Sequence, residues 1–154
     1  MVTPPTFVAE YEVSTWASFV SPRTVTLTTV AGDKLVIGGL TEAEATELAT
    51  PTGNSVTYDV EQIQTTATNA CEGYLWTATD ANGGTGWDLS SEAAGGQDWG
   101  LDVLRFSDSD GFGASNQSQS SAGTVALTTT ADNSAVVVFV GDWDAADGSS
   151  RVWA

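Results

Sequence analysis

The chain of 154 residues contains no histidine, one cysteine and only four lysine or arginine residues. Histidine is the commonest general base and the commonest metal ligand, so its absence excludes histidine-dependent catalysis and histidine zinc sites. The single cysteine, Cys71, excludes an intrachain disulfide and a cysteine-built zinc site. No basic residue stands near Cys71 to activate its thiol, so we expect a small buried side chain.

Positive charge is also scarce, because 20 acidic residues face four basic ones and the net charge is −16. Such a chain does not neutralise phosphates, which excludes ordinary nucleic-acid binding, and it is repelled by anionic membranes. The longest apolar run, residues 135–140, is too short to span a bilayer. Residues 1–6 have no basic group and no apolar core, so we expect neither a signal peptide nor membrane insertion.

The sequence is rich in threonine, serine and glycine, and polar and apolar residues alternate along much of it. This alternation is typical of half-buried strands. The predicted strands are 6–13, 24–30, 34–38, 55–59, 64–68, 73–79, 87–90, 99–106, 124–130 and 135–141. Many short strands separated by turns rich in glycine, asparagine and aspartate indicate an all-β, antiparallel β-sandwich that is jelly-roll-like. Trp76 and Trp99 lie in apolar strands and are predicted core residues.

Two segments depart from the strand pattern. Residues 41–48 predict one short helix, because Thr41 and Glu44 have the spacing of a capping box and Pro51 follows. Residues 1–6 contain two prolines and predict an extended N-terminal arm, with a single domain over 7–154.

An internal echo links residues 24–39 with residues 124–141. Each has a threonine-alternating strand, a turn and a continuous apolar strand. We interpret them as two similar hairpins whose apolar strands are covered on both faces; chance convergence of two hairpins is the alternative.

The sequence contains no nucleophile elbow, phosphate-binding loop or dinucleotide-binding motif. A pair of carboxylates can hydrolyse glycosides when held at the right separation, but 20 acidic residues allow many accidental pairs. We therefore expect no catalytic activity.

One acidic loop could hold a metal ion. Asp142, Asp144 and Asp147 lie within six residues and precede Gly148, and carboxylates in such loops are Ca²⁺ ligands. The alternative is a turn in which the carboxylates accept hydrogen bonds from backbone amides.

A second candidate site lies in the glycine-rich segment 83–88, where Trp87 precedes Asp88. An indole ring can stack on a sugar while a carboxylate accepts its hydroxyl hydrogens, so the pair is a candidate glycan contact. The alternative is that Trp87 folds back over the edge of the sandwich.

Five stretches resemble a β-rich domain of minor tail proteins and related virion proteins of actinobacterial phages. They are TPPTFVAEYE at 3–12, TPTG at 50–53, YLWTA at 74–78, WG with VLRF at 99–106, and GDWDAADGSSR at 141–151. The last is the most specific, because its spacing is not a general turn pattern. The family's domain continues for several strands beyond this motif, so the resemblance implies one of two cases: a shortened member that lacks those C-terminal strands, or a sequence that ends where an ordered part of a longer protein ends.

The resemblance implies a virion structural protein without catalytic residues. We expect a minor tail protein, displayed on the tail of the phage particle, where it could touch host-surface glycans. A capsid decoration protein on the outer shell is the alternative, and a polysaccharide-degrading tail enzyme is the third. The expected partners are other virion proteins and copies of the chain itself, in a symmetric homo-oligomer, with a trimer favoured.

Overall fold

The computed structural model describes residues 4–13, 21–41, 47–65, 72–94, 98–118 and 124–140. In these ranges all regular secondary structure is β, as the alternation predicts. The strands are β1 (Thr6–Val13), β2 (Arg23–Thr29), β3 (Lys34–Thr41), β4 (Tyr58–Thr65), β5 (Glu72–Thr79), β6 (Gly84–Ser91) and β7 (Trp99–Ser107). The described ranges hold no helix with the length and apolar character needed to cross a membrane.

The strands form two antiparallel sheets. The first has five strands in the order β1-β7-β3-β5-β4, and the second pairs β2 with β6. β3 is central in the larger sheet, because β5 and β7 occupy its two edges in continuous register. Neither edge of β3 is therefore left for another strand.

The core lies between the two sheets. In β2, Val25 and Leu27 are buried, while the threonines that alternate with them, at 24, 26 and 28, are exposed. They join one hydrophobic cluster with residues of the larger sheet, including Ile37, Trp76 and Trp99. The prediction that Trp76 and Trp99 are core residues is confirmed, since they are 1% and 0% exposed. We call the cluster-bearing face of the larger sheet its inner face and the opposite one its outer face.

The first echo segment contains a turn where the sequence predicts one, but it is not a hairpin. The Asp33 amide donates to the Val30 carbonyl at 3.0 Å, and Gly32 has a φ of 98°. After this turn, however, β2 and β3 enter different sheets. The hairpin prediction is wrong here, because β2 pairs with β6 instead.

Two local predictions also change. Residues 54 and 55 have φ values of 48° and 55°, which turn the chain, and β4 then runs without a break from Tyr58 to Thr65, across the gap between the strands predicted at 55–59 and 64–68. Residues 66–68 lie outside the described ranges. The helix predicted over 41–48 is not shown: Thr41 ends β3 with a fully buried side chain, and Leu48 forms a β-bridge with Ala93. Residues 42–46 lie outside the described ranges.

The N-terminal end of the chain enters the larger sheet early. Pro4 and Pro5 belong to no strand, while Thr6 begins β1 and pairs with Ser107. The first residue of β1 is thus the last residue of the predicted arm. Residues 1–3 lie outside the described ranges.

The strands predicted at 124–130 and 135–141 belong to neither sheet over the described residues. Val136, Val138 and Val140 are 56%, 58% and 51% exposed, so the expectation of a strand covered on both faces is wrong. The physical reason lies in β3, the counterpart in the first echo, whose two edges are already filled by β5 and β7. The segment lies instead on the outer face, where Phe139 packs against Gly38.

Candidate functional site

The two residues of the predicted glycan contact lie on opposite faces of β6. Trp87 pairs with Leu27, which is fully buried, whereas Asp88 pairs with Thr26, which is exposed. Paired residues in a sheet share a face, so Trp87 points toward the core and Asp88 away from it. The two side chains therefore cannot contact the same sugar residue.

Trp87 is held in the protein by contacts on several sides. Its ring packs against the hydrophobic cluster and is half-buried, and its indole N–H donates to the Thr29 hydroxyl at 2.8 Å. A Cβ added to Gly53 would lie 3.0 Å from the indole ring, so the backbone of the loop before β4 covers it closely. These contacts fit a tryptophan folded over the edge of the sheets.

Asp88 belongs to a row of exposed polar groups on the smaller sheet. The Thr26 hydroxyl donates to its carboxylate at 2.8 Å, and the hydroxyls of Thr24 and Ser90 lie 2.6 Å apart. This face presents hydroxyls and one carboxylate, which are groups that bind sugar hydroxyls. A glycan contact through Asp88 stays a prediction.

The Asp80 carboxylate is fully buried at the turn between β5 and β6. It accepts hydrogen bonds from the Thr29 hydroxyl at 2.5 Å and from the backbone amides of Asn82 and Gly83 at 3.0 and 2.9 Å. The Asn54 side-chain amide donates to both of its oxygens, at 3.1 and 3.2 Å. Asp80 therefore ties the turns before β4 and β6 to the end of β2.

These bonds set the ionisation of Asp80. Burial acts to raise its pKa, but the hydrogen bonds from Thr29, Gly83, Asn82 and Asn54 together outweigh burial and lower it. Asp80 is consequently a charged structural anchor. It is unsuited to act as a general acid, which would need a raised pKa.

Two tyrosines near the larger sheet's β4 edge are unsuited to proton transfer near neutral pH. Burial raises the pKa of Tyr58, and the charge of Asp80 raises it further. Burial also raises the pKa of Tyr74, as does its hydrogen bond to Glu72. Both hydroxyls stay protonated at neutral pH.

A buried ion pair lies at the same end of the protein as Asp80. The Arg105 Nε lies 2.6 Å from the Asp33 carboxylate, and the two side chains are 13% and 4% exposed. Arg105 also donates to the Thr28 carbonyl at 2.9 Å, and Asp33 accepts from the Val30 amide at 2.7 Å. The pair borders an open cleft of about 830 Å³ that Asp108 and Asp110 also line. Because Arg105 is already bonded to Asp33, the cleft offers acidic groups and no free guanidinium.

A different kind of surface lies over the outer face of the larger sheet. Gln62 of β4 donates to the Ser115 hydroxyl at 2.8 Å, and Asn116 donates to the Ala126 carbonyl at 2.6 Å. Leu127 and Val137 line a cavity of about 370 Å³ together with Val36 of β3. Side-chain contacts thus hold the described residues 109–118 and 124–140 against this face of the sheet. These residues leave a row of exposed valines, which we call the valine row: Val136, Val138 and Val140.

Several predicted site residues lie outside the described ranges. They are Cys71 and the three carboxylates of the predicted Ca²⁺ loop, Asp142, Asp144 and Asp147. Within the ranges that are described, no three acidic or cysteine side chains come close enough to hold a metal ion. The Ca²⁺ site and its alternative, an amide-capping turn, both stay predictions.

Sequence reasoning missed the Asp80 network, although part of its signal was present. An aspartate followed by Asn82, Gly83 and Gly84 is typical of a turn in which the carboxylate accepts the amides two and three residues on. The bonds from Thr29 and Asn54 cross 51 and 26 residues and have no local signal.

Comparison with protein-family models, with curated proteins and with solved structures finds no match to this chain.

Proposed function

We propose that this chain is a structural protein of a phage particle, a minor tail protein displayed on the tail, which works by binding other protein surfaces. The motifs at 74–78, 99–106 and 141–151, which resemble virion proteins, support this proposal. On this proposal the protein is made in the host cytoplasm and functions in the virion.

The observation that carries the proposal is the valine row. Three valines on alternate positions are each more than half exposed, in a chain with a net charge of −16. A contiguous apolar surface on a water-soluble domain marks a protein contact. Assembly proteins need such a surface.

The proposal assigns no catalytic step to the chain. Asp33 and Asp80, the carboxylates that are buried among the described residues, are held by hydrogen bonds from neighbouring groups and serve to join turns. Their arrangement supports a rigid scaffold rather than a reactive site.

The finer fold belongs to the proposal as well: a β-sandwich of the jelly-roll type. The sharing of one hydrophobic cluster by the two sheets supports a sandwich. The chain leaves the larger sheet for β2 and again for β6, and returns to it each time, and this repeated crossing between the sheets also supports a sandwich.

The proposed partners are other virion proteins and copies of the chain itself, in a symmetric homo-oligomer with a trimer favoured. Nucleic acid is not among them, since four basic residues cannot neutralise a phosphate backbone. Host-surface glycans are a further proposed ligand, supported by the hydroxyl-bearing face around Asp88.

The test is to label the chain on intact particles. Gold-labelled antibodies raised against this chain should decorate the tail in electron micrographs of purified particles. Label on the head would overturn the tail assignment in favour of capsid decoration. Particles that carry no label, when the free protein is recognised, would overturn the virion role.

A further inference from the structure

We infer that the valine row is the contact surface between copies of this chain. The inference deepens the proposed self-assembly by naming the surface that carries it. It rests on the self-association part of the proposed function and not on the place of the protein in a particle.

The row has the geometry of one side of an unpaired strand. Val136, Val138 and Val140 are exposed, while Val137 and Phe139 between them are half-buried. Alternation with a period of two is that of an extended chain with one covered and one open side. The run belongs to neither sheet over its described length, and an extended run outside a sheet is a place where a strand of another chain can pair.

The covered side fixes the row in place. The Phe139 ring packs directly against Gly38, which lies at the centre of the larger sheet where no side chain intervenes. Val137 lines the cavity between this segment and β3. A second copy would therefore meet a surface that is already positioned, and little order has to be gained on binding.

The distribution of charge selects a second copy as the occupant. Residues 111–140 carry one charged side chain, Asp132, whereas the whole chain carries 20 acidic residues and a net charge of −16. Two copies that meet through this segment bring few carboxylates together, so like-charge repulsion between the copies is small there. A basic partner would bind most strongly to the acidic surfaces and least strongly to this nearly neutral segment.

A second pair of exposed apolar residues differs from the valine row because charged residues stand beside it. Val60 and Ile63 on β4 are 52% and 47% exposed, but Asp59 and Glu61 stand beside Val60 in sequence. Like charges there would oppose the approach of another copy. Val60 is therefore a matched control for Val138, with the same residue type and similar exposure.

The experiment is analytical ultracentrifugation of the full chain over a wide range of protein concentration. The unmodified chain should form an oligomer, and V138D should weaken association by about 100-fold or more, because it places an unpaired carboxylate in an apolar contact. V60D adds the same charge elsewhere and should associate like the unmodified chain. V138T, which keeps the branched shape, should weaken association less than V138D. Unchanged fluorescence of the buried Trp76 and Trp99 serves as the folding control.

The dependence of self-association on salt concentration is an independent test. Like-charge repulsion between two copies is screened by added salt, so association should strengthen as ionic strength rises. Weakening with salt would mean that opposite charges hold the copies together and would overturn the assignment to the neutral segment.

Amide hydrogen exchange locates the surface. Residues 135–140 should be protected in the oligomer and exchange quickly in V138D. A chain that stays monomeric at every concentration would overturn the inference, and protection of 135–140 in that monomer would assign the row to another part of the same chain. If the chain is monomeric but is found on the tail, the inference fails and the proposed function stands. If the chain forms an oligomer but is absent from particles, the proposed function fails and the inference stands.

Discussion

The indole N–H of Trp87 donates to the hydroxyl of Thr29 at 2.8 Å. The same hydroxyl donates onward to the Asp80 carboxylate at 2.5 Å, so one oxygen both accepts and donates. Thr29 ends β2 and Trp87 lies in β6, while Asp80 follows β5 of the other sheet. This chain of bonds therefore joins the smaller sheet to the larger one, and it accounts for the inward orientation of Trp87.

Replacing Thr29 with valine keeps its shape but removes the shared hydroxyl. The Asp80 carboxylate loses a donor and the Trp87 indole loses its acceptor, and both groups remain at least partly buried. We expect the free energy of unfolding to fall by about 2–4 kcal/mol, the scale of unsatisfied buried polar groups. Urea unfolding followed by tryptophan fluorescence measures this. T29S keeps the hydroxyl and should cost only about 1 kcal/mol for the lost methyl; an equal loss in both variants would contradict the network.

The lowered pKa of Asp80 makes stability depend on acid. Because its folded pKa lies below the ordinary aspartate value of about 3.9, Asp80 contributes its full stabilisation above that pH. The contribution is lost as pH falls from there through the folded pKa. The D80N variant should be less stable than the unmodified chain at neutral pH, and the difference should shrink in acid. Urea midpoints measured from neutral pH downward test this, and a difference that stays constant with pH would contradict it.

Arg105 and Asp33 should be coupled in a double-mutant cycle. R105M leaves Asp33, which is 4% exposed, without its cation, and should destabilise the fold by about 3 kcal/mol. D33N alone leaves the guanidinium without its carboxylate. Removing both should cost clearly less than the sum of the single changes. Additive losses would show that the pair contributes no interaction energy.

Two adjacent glycines should respond differently to alanine. In G38A the new methyl meets the Phe139 ring on the outer face, whereas in G39A it meets Leu48 at 2.7 Å and Trp76 at 2.8 Å in the core. G39A should lower the free energy of unfolding by about 1–3 kcal/mol, as overpacking does. G38A should cost less but speed amide hydrogen exchange at 135–140, because it displaces the ring that holds this segment. Slow exchange at 135–140 in G38A would contradict the Phe139 contact.

Much of the fold could be predicted from local pattern. Alternation of threonine with Val25 and Leu27 predicts β2 and its buried face, and the apolar context of Trp76 and Trp99 predicts the core. These features depend on residues one to four positions apart, where the pleat of a strand fixes which side chains share a face.

The pairing of strands could not be predicted in this way. The turn at residues 30–33 would serve a hairpin equally well, but β2 pairs with β6, whose residues lie 55–68 positions further along the chain. The same limit applies to the candidate site. Asp33 stands beside a turn and Arg105 stands in a strand 72 residues later. Nothing in the local sequence of either residue indicates that the two form an ion pair.

The central claim, that the chain is a built-in component of a phage particle, is tested most directly by its copy number there. Particles purified on a density gradient and washed in high salt can be digested, and peptides of this chain counted against those of the major shell protein by quantitative mass spectrometry. The account predicts a fixed number of copies per particle that survives the wash, because a built-in component is held by specific packed contacts, whereas a chain adsorbed through screened surface charge is washed off. Peptides that are abundant in the lysate but absent from the washed particles would contradict it.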